Sequence, residues 1–368
     1  MINKERLLNT FLEYIQIDSE SYPEGAFAAR VAADMQAIGC QVYQDSTQDK
    51  SGSEAGNLYC TLPGNTEGKA MIFSAHMDTV VPGKGIEPVI ENGIIRSKGD
   101  TVLGGDDKSG IAAIVEALRT VVEQGLPHPT VQAVFTVCEE IGLKGSAHMD
   151  YSLLAGGRAV VLDSSGDAGK IIVSAPGQYK LSAEVVGRRA HAGVAPEEGI
   201  SAIQVLSEAI ANMKLLRVDE ETTANIGVVR CEYATNIVPE RAVVVGEARS
   251  RSDAKLEAQG QHMMDYLTAA CRKFGASLEG GLTRSYNAYS FSADDPFVRQ
   301  VIDACGKAGI THTLAASGGG SDANNFNANG VKSLVLGTGM AKVHTTQEEI
   351  SIRNLEDTAA LTLALISL

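Results

Sequence analysis

The sequence predicts an α/β chain built on a largely parallel sheet and interrupted by a smaller α+β unit. Three observations carry this. Short apolar runs alternate with helical patterns over the first half, charged pairs follow several of those runs, and the texture changes near Pro176 and changes back near Asp295. At 368 residues the chain suits two domains better than one or three.

Taken in order, MINKERLLNTFLEYIQI places Leu7, Leu8, Phe11, Leu12 and Ile15 on a helical stripe broken by Lys4, Glu5, Arg6 and Glu13. It reads as an amphipathic helix without a signal-peptide core, and a second such helix follows. The runs GNLYCTL, AMIFSAH, TVQAVFTV and GRAVVLD read as strands, with a helix after Ser109. His76 with Asp78, and Glu139 with Glu140, fall at or directly after two of these runs, and Asp163 closes a third. The carboxyl ends of strands are where open α/β sheets form their sites. From Pro176 the order is strand, helix, two strands, helix, strand, the second helix running from Lys255 to Phe274. After Asp295 come a helix, a glycine-rich loop, a strand and a final helix. The expected division is therefore 1–175 with 288–368 as one discontinuous domain and 176–287 as an inserted unit.

Composition narrows the function. Hydrophobic content of 44% and charged content of 21% are those of a globular protein. The formal charge of −14, with no stripe of Lys and Arg, argues against nucleic acid as a partner and leaves small substrates. No apolar run approaches the roughly 20 residues that span a bilayer, so no membrane association is expected and a cytoplasmic location is. Cys40, Cys60, Cys138, Cys231, Cys271 and Cys305 are scattered without CxxC spacing and read as reduced core residues.

Chemistry concentrates in a few short motifs. In SAHMDTV, the period of two puts His76 and Asp78 on one face of a strand end, so that one can ligate a cation while the other orients it. Taken alone, an HxD pair is more often ordinary hydrogen bonding. LGGDDKSG sets two carboxylates at a helix entrance, where the dipole favours them and where simple capping by Asp106 or Asp107 is the better single reading. The lysine follows Asp107 and not a glycine, which excludes a phosphate loop. TVCEEIG sets two glutamates after a strand, an arrangement that becomes reasonable when one binds a cation and the other, its pKa tuned upward, accepts a proton. Asp163 in VVLDSSG and His344 in GTGMAKVHTT complete the set. A nucleotide reading of GTGMAK lacks a third glycine and a following helix. Oxygen and imidazole donors without cysteine suit zinc, with cobalt or manganese as alternatives, and two such cations lower the pKa of a shared water toward about 7.

The order HMD, GGDDKSG, CEE, LDSSG, GRRAHAG, EARSR, GGGSDANNF and VHTT resembles the aminoacylase and tripeptidase family of zinc metallopeptidases, in particular its peptidase T-like branch, and does so nearly end to end. The resemblance implies a zinc-exopeptidase-like catalytic domain and an inserted ferredoxin-like lid that pairs two subunits. It implies that His76 and Asp163 bind one metal ion, that Glu140 and His344 bind the other, and that Asp106 bridges them. Glu139 would be the general base and Asp78 would orient His76, with a cis peptide between Asp106 and Asp107. It also implies that His191 in AHAGVAP stabilises the oxyanion, in its own subunit or a neighbour's. Asn236, Arg249 and Gly319 would contact substrate, and a structural ion pair is an equal reading of Arg249. One departure bears on specificity: the tripeptidase pattern has an arginine before its Gly-Gly pair where this chain has Gly318, and glycine cannot grip a carboxylate. The aspartate at 163 resembles the aminopeptidase side of the family. The expected activity is hydrolysis of small peptides by a metal-dependent aminopeptidase. Hydrolysis of N-acyl amino acids or other small amides is the alternative, and a catalytically silent binding protein on the same scaffold is the second.

Overall fold

The computed structural model describes residues 1–367. They form two compact units. The first contains Met1–Val173, Phe291–Ala316 and Ser321 onward, and the second contains Ser174–Ser290 with Ser317–Gly320. The sequence reading had placed 317–320 in the discontinuous domain. Here Ser317 donates its N–H to the Ser174 carbonyl (2.8 Å). Gly320 lies so close to Tyr286 that a Cβ would stand 2.4 Å from the ring, a closeness no pattern of residue types announces.

In the first unit the main sheet runs in the order Gln41–Gln44, Leu58–Leu62, Val131–Thr136, Met71–His76, Arg158–Ser164, Lys332–Gly337 and Lys170–Ala175, with Thr313–Ala316 also paired to the last. The four inner strands from Val131–Thr136 to Lys332–Gly337 are mutually parallel. The flanking pairs are antiparallel. Every residue of Met71–His76 and Val131–Thr136 is buried, which is why these segments are continuous apolar runs and not alternating ones.

Helices Lys4–Ile15, Gly25–Ile38, Gly105–Glu123, Pro296–Ala308 and Ile352–Ile366 contribute to one core with Phe73, Phe135, Leu334 and Leu336. Side chains such as Phe73 and Phe135, fully buried, each contribute roughly 1.5–3 kcal/mol. The helix expected from Ser109 begins earlier, at Gly105, but Asp106 and Asp107 have non-helical dihedrals within it, and the peptide between them is cis.

A second, four-stranded sheet was not expected from the sequence. It joins Met340–Ala341, Glu349–Ser351, Ile94–Ser97 and Pro88–Glu91. Strands this short leave almost no periodic signal, and they are set by their pairing.

The second unit is an antiparallel sheet in the order Leu216–Arg217, Thr222–Arg230, Arg241–Ser250, Gly177–Val186 and Ser277–Tyr286. Helices Ala202–Asn212 and Asp253–Phe274 supply Val205, Leu206, Met263 and Leu267 to a core with Leu181, Val185 and Val244. All six cysteines are free, and no helix among the described residues is long and apolar enough to cross a membrane.

Candidate metal centre

Four parallel strands aim their carboxyl ends at one cluster. Met71–His76 ends on His76, Arg158–Ser164 carries Asp163 at its last turn of pleat, Val131–Thr136 leads into Glu139 and Glu140, and Lys332–Gly337 leads into the hairpin that bears His344. Asp106 enters from the start of helix Gly105–Glu123. His76 Nε2 lies 3.1 Å from Asp106 Oδ1 and 3.9 Å from Asp163 Oδ1. His344 Nε2 lies 3.3 Å from Asp106 Oδ2 and 3.0 Å from Glu140 Oε2. The Asp106 carboxylate thus stands between the two imidazoles, one oxygen toward each.

Asp78 faces His76 and holds a second post as well. His76 Nδ1 is 2.8 Å from the backbone carbonyl of Asp78 and 3.5 Å from its carboxylate. The carbonyl therefore accepts the Nδ1 proton and orients the ring so that Nε2 faces the carboxylates. The Asp78 carboxylate has a second task. Its Oδ1 accepts the Glu139 N–H (2.9 Å), and its Oδ2 accepts the Glu140 N–H (3.2 Å) and the Ser21 hydroxyl (2.7 Å). It holds the turn that carries both glutamates. One residue earlier, the N–H and thiol of Cys138, a residue at φ +52, are accepted by buried Glu24.

Several members of the cluster escaped the sequence reading. Asp107 is fully buried, accepts the His76 N–H (3.3 Å), and groups with His76 and Asp163 as a set of donors within 4.8 Å. A parallel set is His76, Asp106 and Glu140. Adjacency to Asp106 was the only signal for Asp107. Asp322, from the SDANNF motif, is buried and takes the hydroxyls of Thr136 and Ser146, each at 2.5 Å.

The electrostatics call for a cation. Burial, followed by the charge of Asp163, pushes Asp107 and Glu139 well above the usual carboxylate range. Burial also raises Asp163, against the pull of His76. Asp106 is the exception: burial opposes its ionisation, but His344 and His76 together hold it below the usual range. Asp107 Oδ1 and Glu140 Oε1 are buried without a hydrogen-bond partner. Lysine does not supply the missing charge, since Lys108 Nζ donates to the Ile17 carbonyl (2.6 Å) and sits 4.6 Å from the centre of the Phe27 ring, where burial pushes it down to about 7. Orphaned carboxylate oxygens, and two imidazoles turned toward a crowd of buried carboxylates, are what divalent cations would satisfy, so the donor set fits metal ions.

Glu139 stands apart from both donor sets. It is 8% exposed, its carboxylate makes no hydrogen bond among the described residues, and only its backbone is pinned.

In the second unit, Ala190–His191 pairs with Ile237–Val238, and Ala192 donates to the Asn236 carbonyl (2.9 Å), which brings His191 and Asn236 onto one small ribbon. His191 is exposed, and its Nδ1 accepts the Gly193 N–H (3.1 Å). Arg249 is held by Glu247 through Nε (2.9 Å) and Nη2 (3.0 Å), the ion pair weighed from the sequence, while a Cβ on Gly319 would meet its Nη1 at 3.9 Å. The two pairs His191 with Asn236 and Arg249 with Gly319 are thus each assembled locally.

Comparison with known proteins agrees with this architecture. The family model for peptidase family M20/M25/M40 matches residues 72–368. Uncharacterized protein YqjE of Bacillus subtilis is 42% identical over 366 residues, covering 100% of this chain and 99% of its own. Aminopeptidase PepT from Bacillus cereus superposes with a TM-score of 0.92 at 41% identity, over 100% of this chain and 98% of that one. A tripeptidase from Staphylococcus aureus gives a TM-score of 0.95 at 38% identity, with the same coverage.

Proposed function

The chain belongs to the peptidase family M20/M25/M40, and on that premise we propose that it is a metal-dependent exopeptidase, an aminopeptidase of tripeptidase-like type, that cleaves small peptides with Glu139 as general base. The observation that carries this reading is the placement of Asp106 between His76 and His344, with Glu139 buried beside them and bound to neither. His76, Asp106 and Asp163 would hold one cation, and Asp106, Glu140 and His344 the other, with Asp107 supporting the first through its free oxygen. Zinc is the expected ion, and cobalt or manganese suits the same donors. When bound, such ions polarise the scissile carbonyl and lower the pKa of water toward about 7.

The protein's own residues do the rest. Asp78 fixes the backbone of Glu139 and Glu140, so the base is aimed without having its carboxylate occupied. Glu139 takes a proton from the attacking water and delivers it to the leaving nitrogen, and its burial, which raises its pKa, strengthens it as a proton acceptor. His191 has Nδ1 engaged as an acceptor and therefore carries its proton on Nε2, the form able to donate to an oxyanion. Arg249, Asn236 and Gly319 are proposed as substrate contacts. Pairing of two copies through the second unit is expected, and the exposed Val228 and Val229 at the end of Thr222–Arg230 support it.

Gly318 favours keeping a second reading, hydrolysis of N-acyl amino acids or related amides. Nothing lies within 4 Å of a Cβ built there. Turnover of a panel of di- and tripeptides against N-acyl amino acids, with zinc, cobalt or manganese added, separates the two. Peptide cleavage from the amino end is the expected result, and exclusive turnover of acylated substrates would replace it with the alternative. In the same assay Glu139→Gln should retain bound metal while activity falls by about 10²–10⁴-fold. Normal turnover by that variant would refute the assignment of the base.

A further inference from the structure

The loop that carries His344 is tied down by a residue outside both donor sets. Met340–Ala341 pairs with Glu349–Ser351, Met340 opposite Ile350 and Ala341 opposite Glu349, so residues 342–348 form the connection of a hairpin. Most of that connection is open to solvent, and Lys342 (φ +54) and His344 (φ +61) both adopt the left-handed conformation that side chains disfavour. Glu348 is its opposite, with 2% of its surface exposed.

Its carboxylate accepts three backbone N–H groups at the entrance of helix Gly105–Glu123. Oε2 takes those of Leu103 (2.8 Å) and Gly104 (2.9 Å), and Oε1 takes that of Asp106 (2.9 Å). Helix entrances leave such groups unpaired and favour a carboxylate there, so this much is a cap supplied from a distant segment. The cap also closes a ring through the candidate metal centre. From the Asp106 N–H the path runs to Glu348, back along four residues to His344, and from His344 Nε2 to Asp106 Oδ2 at 3.3 Å. The His76 side of the cluster shares Asp106 with that ring and otherwise lies outside it, since His76 and Asp163 rise directly from strand ends.

We propose that Glu348 is a positioning residue for the cation held by Asp106, Glu140 and His344, setting the affinity of that site more strongly than that of the His76–Asp163 site, which shares Asp106 but not the hairpin. This rests on the reading of the two donor sets as cation sites. Replacing the carboxylate by an amide would leave part of the triple acceptor and turn N–H against N–H, so the hairpin would lose its register on the helix while each ligand kept its side chain.

The test is titration of metal-stripped protein with cobalt(II), followed by calorimetry and by the visible absorption of the bound ion, for wild type, Glu348→Gln and Glu348→Asp. Thermal melts of the metal-free forms run alongside. Wild type should take up two ions per chain. In Glu348→Gln one ion should bind within a few-fold of wild type and the other about 10- to 100-fold more weakly, with kcat recovering at excess metal. Glu348→Asp, which keeps the charge on a shorter stem, should fall between and supplies the same measurement if the glutamine variant does not fold. Equal weakening of both ions, or affinities within about twofold of wild type in the folded variants, would overturn the proposal. Uptake of fewer than two ions by wild type would instead overturn the reading beneath it.

Discussion

The two halves of the candidate metal centre are built by different means. His76 and Asp163 sit at the ends of parallel strands in the middle of the main sheet, and the His76 side chain is 1% exposed. His344 is 53% exposed and stands on a hairpin connection that has two residues at positive φ and touches the helix entrance through Glu348. In the first half, sheet pairing and core packing settle the ligand positions before any cation arrives. In the second, a few hydrogen bonds do so. Elements with few buried contacts open at lower free energy than strands of the core, so the hairpin half is the side on which metal affinity can be tuned and lost.

The largest test of this contrast is at the residue the halves share. Asp106→Asn should weaken binding of both ions by at least about 100-fold, more than loss of a supporting residue costs, and calorimetry would register it. A variant that lost only one ion would show that Asp106 serves one half alone. Next in size is removal of metal. Ions present at about 100 times their Kd stabilise the folded state by about 2.7 kcal/mol. Chelation should lower Tm accordingly, and limited proteolysis should then cut first within 342–347 and spare the Met71–His76 strand. Equal protection of both would erase the distinction.

Two glycines extend the comparison to packing. A Cβ at Gly110 would stand 2.6 Å from Asp107 Oδ1 and from the Leu162 carbonyl, and one at Gly339, which has φ +91, would stand 2.0 Å from Asn354 Cβ. Gly110→Ala and Gly339→Ala should each cost about 1–3 kcal/mol or more in thermal denaturation. The first should also weaken the His76 side, and the second the hairpin side. The smallest effect belongs to Ser351, which caps the final helix by accepting the Asn354 N–H at 3.0 Å. Ser351→Ala should lower stability by about 1 kcal/mol and leave both metal affinities unchanged. A metal effect as large as that of Glu348→Gln would show that the hairpin is held as a whole and not at one point.

Much of the site is legible along the chain because its donors follow strands. An apolar run that stops at a histidine or a pair of glutamates marks both an element and its functional end, as in AMIFSAH and TVCEEIG. The rest is not legible for an equally physical reason. Asp78 reads as a partner of His76, but that its carbonyl lies nearer to the imidazole than its carboxylate, 2.8 Å against 3.5 Å, is a choice made by backbone direction at the strand end. Asp322, in a stretch that reads as a glycine-rich loop, gains its place only when the fold brings it against Thr136 and Ser146. The loop 317–320 reads as part of its neighbours in sequence and packs with the second unit.

What the sequence by itself determined is the α/β class and the short motifs that bring His76, Asp106, Glu140, Asp163 and His344 forward as candidate donors, because period and residue type are local properties. What only the tertiary structure decided is how those donors are held. Glu348 and Asp106 are 242 residues apart, and no local pattern couples them. Their hydrogen bond exists because a four-stranded sheet of very short segments returns the hairpin to the helix entrance, and such pairing is settled by the path of the whole chain.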